Sequence, residues 1–147
     1  MPRLHYASIA PEGYKHFGTL TAYLAKSELG EPLVNLVYLR VSQINGCPYC
    51  IDLHWRDLRK LGEDEQKLNA VILWRDMPFF TERERAALAW AEAVTRLRDQ
   101  QVSDEEYEDA KRQFTEKELV DLTFAMAHMN ALNRIAVGFH VTSTVGK

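Results

Sequence analysis

Leu36 to His54 reads LVYLRVSQINGCPYCIDLH, an apolar run that halts at Asn45-Gly46 and restarts at Pro48 beside two cysteines and a histidine. Proline suits a first helical turn and glycine a position just past a helix end, so the stretch predicts two helices that break at Gly46. At about 100° per residue, Cys47, Cys50 and His54 fall within an arc of roughly 60° on the second helix. Two thiols and an imidazole then share one face. Both cysteines lie in or next to the first turn, where unpaired backbone N–H groups and the helix dipole favour a thiolate, the reactive form of cysteine.

Helical periodicity continues in both directions. A first helix is predicted from Pro11 to about Ser27, with Phe17, Leu20, Tyr23 and Leu24 as its apolar stripe and Gly30 after its end. Pro32 opens the second, which runs to about Ile44, and the cysteine helix stops at Gly62 after Arg59 and Lys60. Glu63 to Leu73 reads as a short amphipathic helix, and Trp74 to Phe80 as a loop, since Pro78 prevents continuation. Thr81 with Glu84, Ser103 with Glu106 and Thr115 with Glu118 carry capping-box spacing and start three more helices, the first reaching about Leu97 and the last about Thr144. No run of alternating β-branched residues interrupts them. The expectation is an all-α fold of about six or seven helices in one domain spanning residues 1–147, with the motif core at about 20–75. The last helix is apolar on much of its circumference. It needs cover on several sides, as the centre of a single-chain bundle or against another subunit, and a homo-oligomer is expected.

Charge is nearly balanced: 18 basic and 21 acidic residues give a net of −3 over 147 residues. Without a dense Lys/Arg block, nucleic acid is not an expected partner. No apolar stretch approaches the ~18 residues of a membrane span, and the start carries no signal-peptide pattern, so a cytoplasmic location is expected. In a reducing compartment a close-spaced cysteine pair is more often catalytic or metal-binding than a structural staple. Cys47 and Cys50 are the two cysteines of the chain.

Cysteines three apart at a helix start can close a disulfide, and either thiolate can attack a peroxide or another disulfide. His54, one turn beyond Cys50, is placed to take a thiol proton. Cys50 is therefore assigned as the attacking thiolate, passing through sulfenic acid, and Cys47 as the resolving thiol nearer the helix end and solvent. The opposite order stays open, because Cys47 gains more from the helix terminus. Two other readings are a zinc site on Cys47, Cys50 and His54, which lacks the usual second ligand pair, and buried thiols beside an incidental histidine.

Elsewhere, His128, Asn130, Asn133 and Arg134 form a polar group on the last helix, read as an intersubunit hydrogen-bonding patch in preference to a pocket lining. His5, His16 and His140 read as surface or terminal histidines. Trp55, Trp74 and Trp90, with Phe79 and Phe80, read as packing residues, and the acidic run from Asp104 to Asp109 as a solvated first turn.

The segment Leu36 to His54 resembles the alkyl hydroperoxidase D and carboxymuconolactone decarboxylase family. The likeness extends through Phe80 to Glu92 and to Asn133-Arg134. It implies an all-helical fold assembling into trimers or hexamers. It also implies a thiol-dependent peroxidase that reduces a small hydroperoxide through Cys47, Cys50 and His54 and recovers its dithiol from a thiol or dithiol electron-donor protein. Neither metal nor cofactor is called for. The family's redox signature has a glutamate twelve residues before the first cysteine, where this chain has Asn35, and a histidine before the second, where it has Tyr49. An asparagine cannot hold an imidazolium by charge, so the relay is incomplete. Asn35, Tyr49 and Ser42 are the relay candidates, and Glu31 and Tyr38 lie at helical spacing from Asn35. The alternatives are a disulfide-exchange adaptor or redox sensor with little peroxide turnover, and a lactone decarboxylase-like enzyme that would survive thiol blocking.

Overall fold

A computed structural model describes residues 1–143. Among them the chain forms eight α-helices, two 3-10 turns and no strand. The helices are α1 (Tyr6–Ile9), α2 (Pro11–Ala25), α3 (Glu31–Asn45), α4 (Pro48–Lys60), α5 (Glu65–Ala70), α6 (Glu82–Arg96), α7 (Asp104–Lys111) and α8 (Glu116–Gly138). All three capping boxes form, with Thr81, Ser103 and Thr115 each accepting from the N–H three residues on while the glutamate there reaches back.

The central helix is α3, not α8. From Leu33 to Ser42 nearly every residue of α3 is buried, between α4, α6 and α8. The sequence LVNLVYLRVS explains this: Leu, Val and Tyr recur on every side of the helix, so no single stripe could satisfy it. One charge sits among them. Arg40 pairs with Glu92 of α6 at 2.7 Å, and the same carboxylate accepts from Trp74 Nε1 at 2.9 Å and pairs with Arg75 and Arg96. Burial pushes the Glu92 carboxyl up, but hydrogen bonds from Arg75, Trp74 and Arg40 outweigh it and hold the group below the usual range.

Helix α8 buries Leu122, Ala125, Met126 and Met129 while Val120, Phe124 and Val137 stay exposed along its outer edge. It ends at Gly138, short of the predicted end at Thr144, which lies outside the described residues. The reason is at the other terminus: Arg3 donates its N–H to the Phe139 carbonyl at 2.8 Å and its guanidinium to the Gly138 carbonyl at 3.2 Å, and Tyr6 stacks on Phe139. These bonds satisfy carbonyls that a longer helix would have used. Two further differences are local. The predicted loop after Leu73 begins as a 3-10 turn over Val71–Asp76, and the short α1 precedes the expected first helix.

Candidate active site

Gly46 ends α3 in the left-handed conformation, φ 67°, which a side chain would resist. The chain turns there, the Cys47 N–H donates to the Ser42 carbonyl at 3.1 Å, and Cys47 becomes the N-cap of α4. Its Sγ accepts from the Cys50 N–H at 3.3 Å, so sulfur performs the capping normally done by oxygen. The two cysteines are joined as a disulfide with their Cα atoms 5.3 Å apart. No other cysteine exists in the chain.

The sulfurs differ in access. Cys50 borders a cavity of about 350 Å3 between α2, α3, α4 and α8, whereas Cys47 is not among its lining residues and is 0 % exposed. This reverses the expectation that Cys47 lies nearer solvent: as N-cap it is tucked under the end of α3, and the first turn of α4 carries Cys50 round to the cavity. His54 follows one turn later on the same wall.

Across the cavity, α3 supplies Asn35. Its Nδ2 donates to the Glu31 carbonyl at 3.0 Å, which turns Oδ1 toward the imidazole, 3.3 Å from His54 Nδ1. The orientation makes Nδ1 the protonated nitrogen and leaves the lone pair on Nε2. Burial lowers the His54 pKa to about 4; Asp57 opposes the shift and His128 adds to it. The ring is therefore neutral at pH 7 and able to accept a proton. Tyr38 packs against it, ring centroids 5.0 Å apart.

Of the relay candidates, Asn35 and Tyr49 line the cavity and Ser42 does not. Ser42 Oγ instead accepts from Asn133 Nδ2 at 3.0 Å, in a buried group where Asn45 bonds both Asn130 and Asn133. Asn130 and Asn133 of the last helix are thus bonded within the chain, and tie α8 to the end of α3 just behind the cysteine turn. His128 joins Thr21 of α2 at 2.8 Å. Among the described residues, no three His, Cys, Asp or Glu side chains are grouped to hold a metal ion. Nor is any described helix long and apolar enough to cross a membrane. Glu31 and Tyr38, at helical spacing from Asn35 and expected to substitute in part for the missing carboxylate if they faced the pocket, both line it.

The carboxymuconolactone decarboxylase family profile matches residues 10–93. An uncharacterized protein of Bacillus subtilis, YdfG, is 36% identical over 135 residues, 92% of each chain. A crystal structure from Agrobacterium tumefaciens, of a protein of unknown function provisionally linked to AhpD-type antioxidant defence, superposes with a TM-score of 0.94 at 38% identity over 99% of both chains. The alkyl hydroperoxide reductase AhpD of Streptomyces griseus is 39% identical over 61 residues, 38% of this chain and 34% of that one. With a profile covering more than half its length and relatives aligned nearly end to end, this chain belongs to the carboxymuconolactone decarboxylase family and has an AhpD-like fold.

Proposed function

We propose that the protein is a thiol-dependent peroxidase that reduces organic hydroperoxides through Cys47 and Cys50. The observation that carries this is the position of Cys50, bonded to Cys47 and bordering the same cavity as His54. In the reduced state His54 Nε2 takes the Cys50 proton, and the thiolate attacks one peroxide oxygen. A sulfur–oxygen bond forms, the oxygen–oxygen bond breaks, and the alkoxide takes the proton back from His54 to leave as an alcohol. Cys47 then attacks the sulfenic acid, closing the disulfide and releasing water. A dithiol donor attacks the accessible Cys50 sulfur and expels Cys47, whose charge the α4 N-terminus stabilises. Both halves use one polarity: Cys50 meets the outside reagent and Cys47 serves it from behind.

A disulfide-exchange adaptor is the second reading, and Asn35 favours it, since a neutral amide beside His54 supports the thiolate less than a carboxylate would. The AhpD named above supports the peroxidase reading, as does the family membership. The exposed Val120 and Phe124 edge of α8 supports a homo-oligomer, for which the family resemblance implies a trimer or hexamer. A cytoplasmic location fits a dithiol cycle driven by thiol donors. The test is peroxide consumption with a dithiol reductant by the wild type, Cys47→Ser and Cys50→Ser. Loss in both variants is expected; full activity in both would refute the mechanism. Ready disulfide formation without turnover in the wild type would favour the adaptor.

A further inference from the structure

Cys50 borders the cavity, yet it is 4 % exposed and His54 7 %. That is room for a small hydroperoxide. A thiol carried on a donor protein brings more bulk than a cavity of about 350 Å3 takes in, so the donor half of the cycle needs part of the wall to move. The helices around the cavity are pinned by buried side chains: Leu24 on α2, Val34 and Tyr38 on α3, Leu58 on α4, Met129 and Ala136 on α8. Helix α1 buries none, and it puts Tyr6 on the same wall.

The sequence keeps α1 apart from α2. Pro11 disfavours helical geometry at the residue before it, and Ala10 stands at φ −128°, ψ 63°. One non-helical residue thus joins the two helices. Among the described residues, the hydrogen bonds that hold residues 1–9 to anything beyond Ala10 are the two from Arg3, to the Phe139 and Gly138 carbonyls. Tyr6 adds its ring, stacked 5.6 Å from Phe139 and edge-on 5.4 Å from Tyr14. Tyr14 also lines the cavity, whereas Phe139 does not. An element held by so few contacts, with no buried side chain, opens at far lower cost than the packed helices beside it.

Resting on the peroxidase reading, we propose that residues 3–9 are a strap over the cavity, with Tyr6 as the group that closes it and Ala10 as its hinge. Closed, the strap leaves Cys50 and His54 to a small hydroperoxide in a space screened from bulk water. Open, it lets a dithiol donor approach the disulfide. The donor's thiolate then bonds to the Cys50 sulfur, the bond between Cys50 and Cys47 breaks, and Cys47 leaves as the thiolate. The donor's second thiolate releases Cys50 and closes the donor's own disulfide. The strap takes no part in bond making. It sets the size of what reaches Cys50.

The experiment uses the full-length protein in a Cys47→Ser background, which leaves Cys50 as the one thiol, with and without Tyr6→Ala or Phe139→Ala. Each protein is mixed with N-methylmaleimide and with N-(1-pyrenyl)maleimide, neutral reagents that form the same bond to sulfur and differ in bulk. Tyr6→Ala should speed the pyrenyl reagent roughly 5- to 50-fold and leave the N-methyl rate within about twofold. Phe139→Ala should speed the pyrenyl reagent at least about threefold, although Phe139 does not line the cavity, because it frees Tyr6. Equal pyrenyl rates with and without Tyr6→Ala would overturn the strap. So would equal acceleration of both reagents, which would mean that Tyr6 acts on the thiolate and not on entry. A Phe139→Ala protein that keeps the pyrenyl rate of its parent would make Tyr6 a fixed piece of wall and overturn the hinge. Neither reagent is a peroxide, so these outcomes are told apart from failure of the peroxidase reading. A wild type inert to every hydroperoxide would refute that reading, and with it the strap's part in the cycle.

Discussion

Asn35 and His54, nineteen positions apart in the chain, meet across the cavity with the amide oxygen 3.3 Å from the imidazole Nδ1. The amide is held by its second bond to the Glu31 carbonyl, so it orients the ring and fixes its tautomer. What it cannot do is stabilise the imidazolium by charge.

The first prediction follows from that contact. Asn35→Glu should raise the His54 pKa by roughly one unit or more and speed thiolate formation, both readable by NMR titration and by the rate of reaction with a neutral disulfide. Asn35→Asp should gain less, because its second oxygen would face the Glu31 carbonyl where Nδ2 now donates. An unchanged or slower Asn35→Glu would show that Asn35 does not stand in the place of a relay carboxylate.

Acid should weaken the fold through His54. Its folded pKa of about 4 lies below the ordinary 6.5, so the unfolded chain binds the proton first. Stability is complete above about pH 6.5 and falls as pH drops toward 4. Between pH 7.5 and 5 the loss should be roughly 2 kcal/mol from this residue, with burial of His128 acting in the same direction. Urea midpoints for wild type and His54→Asn test it. The variant should have the shallower pH dependence, and identical slopes would contradict the account.

The Glu92 carboxylate gives a prediction independent of the thiols. Glu92→Leu leaves Arg40 buried at the centre of the bundle with its partner gone, which should cost about 3–5 kcal/mol of unfolding free energy in chemical denaturation. Arg40→Met combined with Glu92→Leu should recover a large part of that. A single-variant loss below about 1 kcal/mol would mean that Arg40 finds solvent.

The helices and the cysteine face were legible because both are local. Pro48, Gly46 and the three capping boxes act within four residues, and the spacing of Cys50 and His54 sets their common face directly. Asn35 was reachable through the family resemblance, whose redox signature has a glutamate twelve residues before the first cysteine. Contacts made across the chain left no such trace. Nothing in the neighbourhood of Arg40 marks Glu92 as its partner, 52 residues on. The end of α8 depends on Arg3, and the burial of Cys47 depends on how its turn tucks beneath α3. Nothing marks Asn45 as the partner of Asn130 and Asn133 until α3 and α8 are packed together.

The most direct test of the central claim is single-turnover oxidation of reduced Cys47→Ser by one equivalent of cumene hydroperoxide, with mass spectrometry after trapping with dimedone. The position of Cys50 on the cavity wall predicts a sulfenic acid on Cys50, formed at close to the wild-type rate, while Cys50→Ser stays unmodified. Modification of Cys47 in Cys50→Ser, with Cys50 inert in Cys47→Ser, would contradict the account.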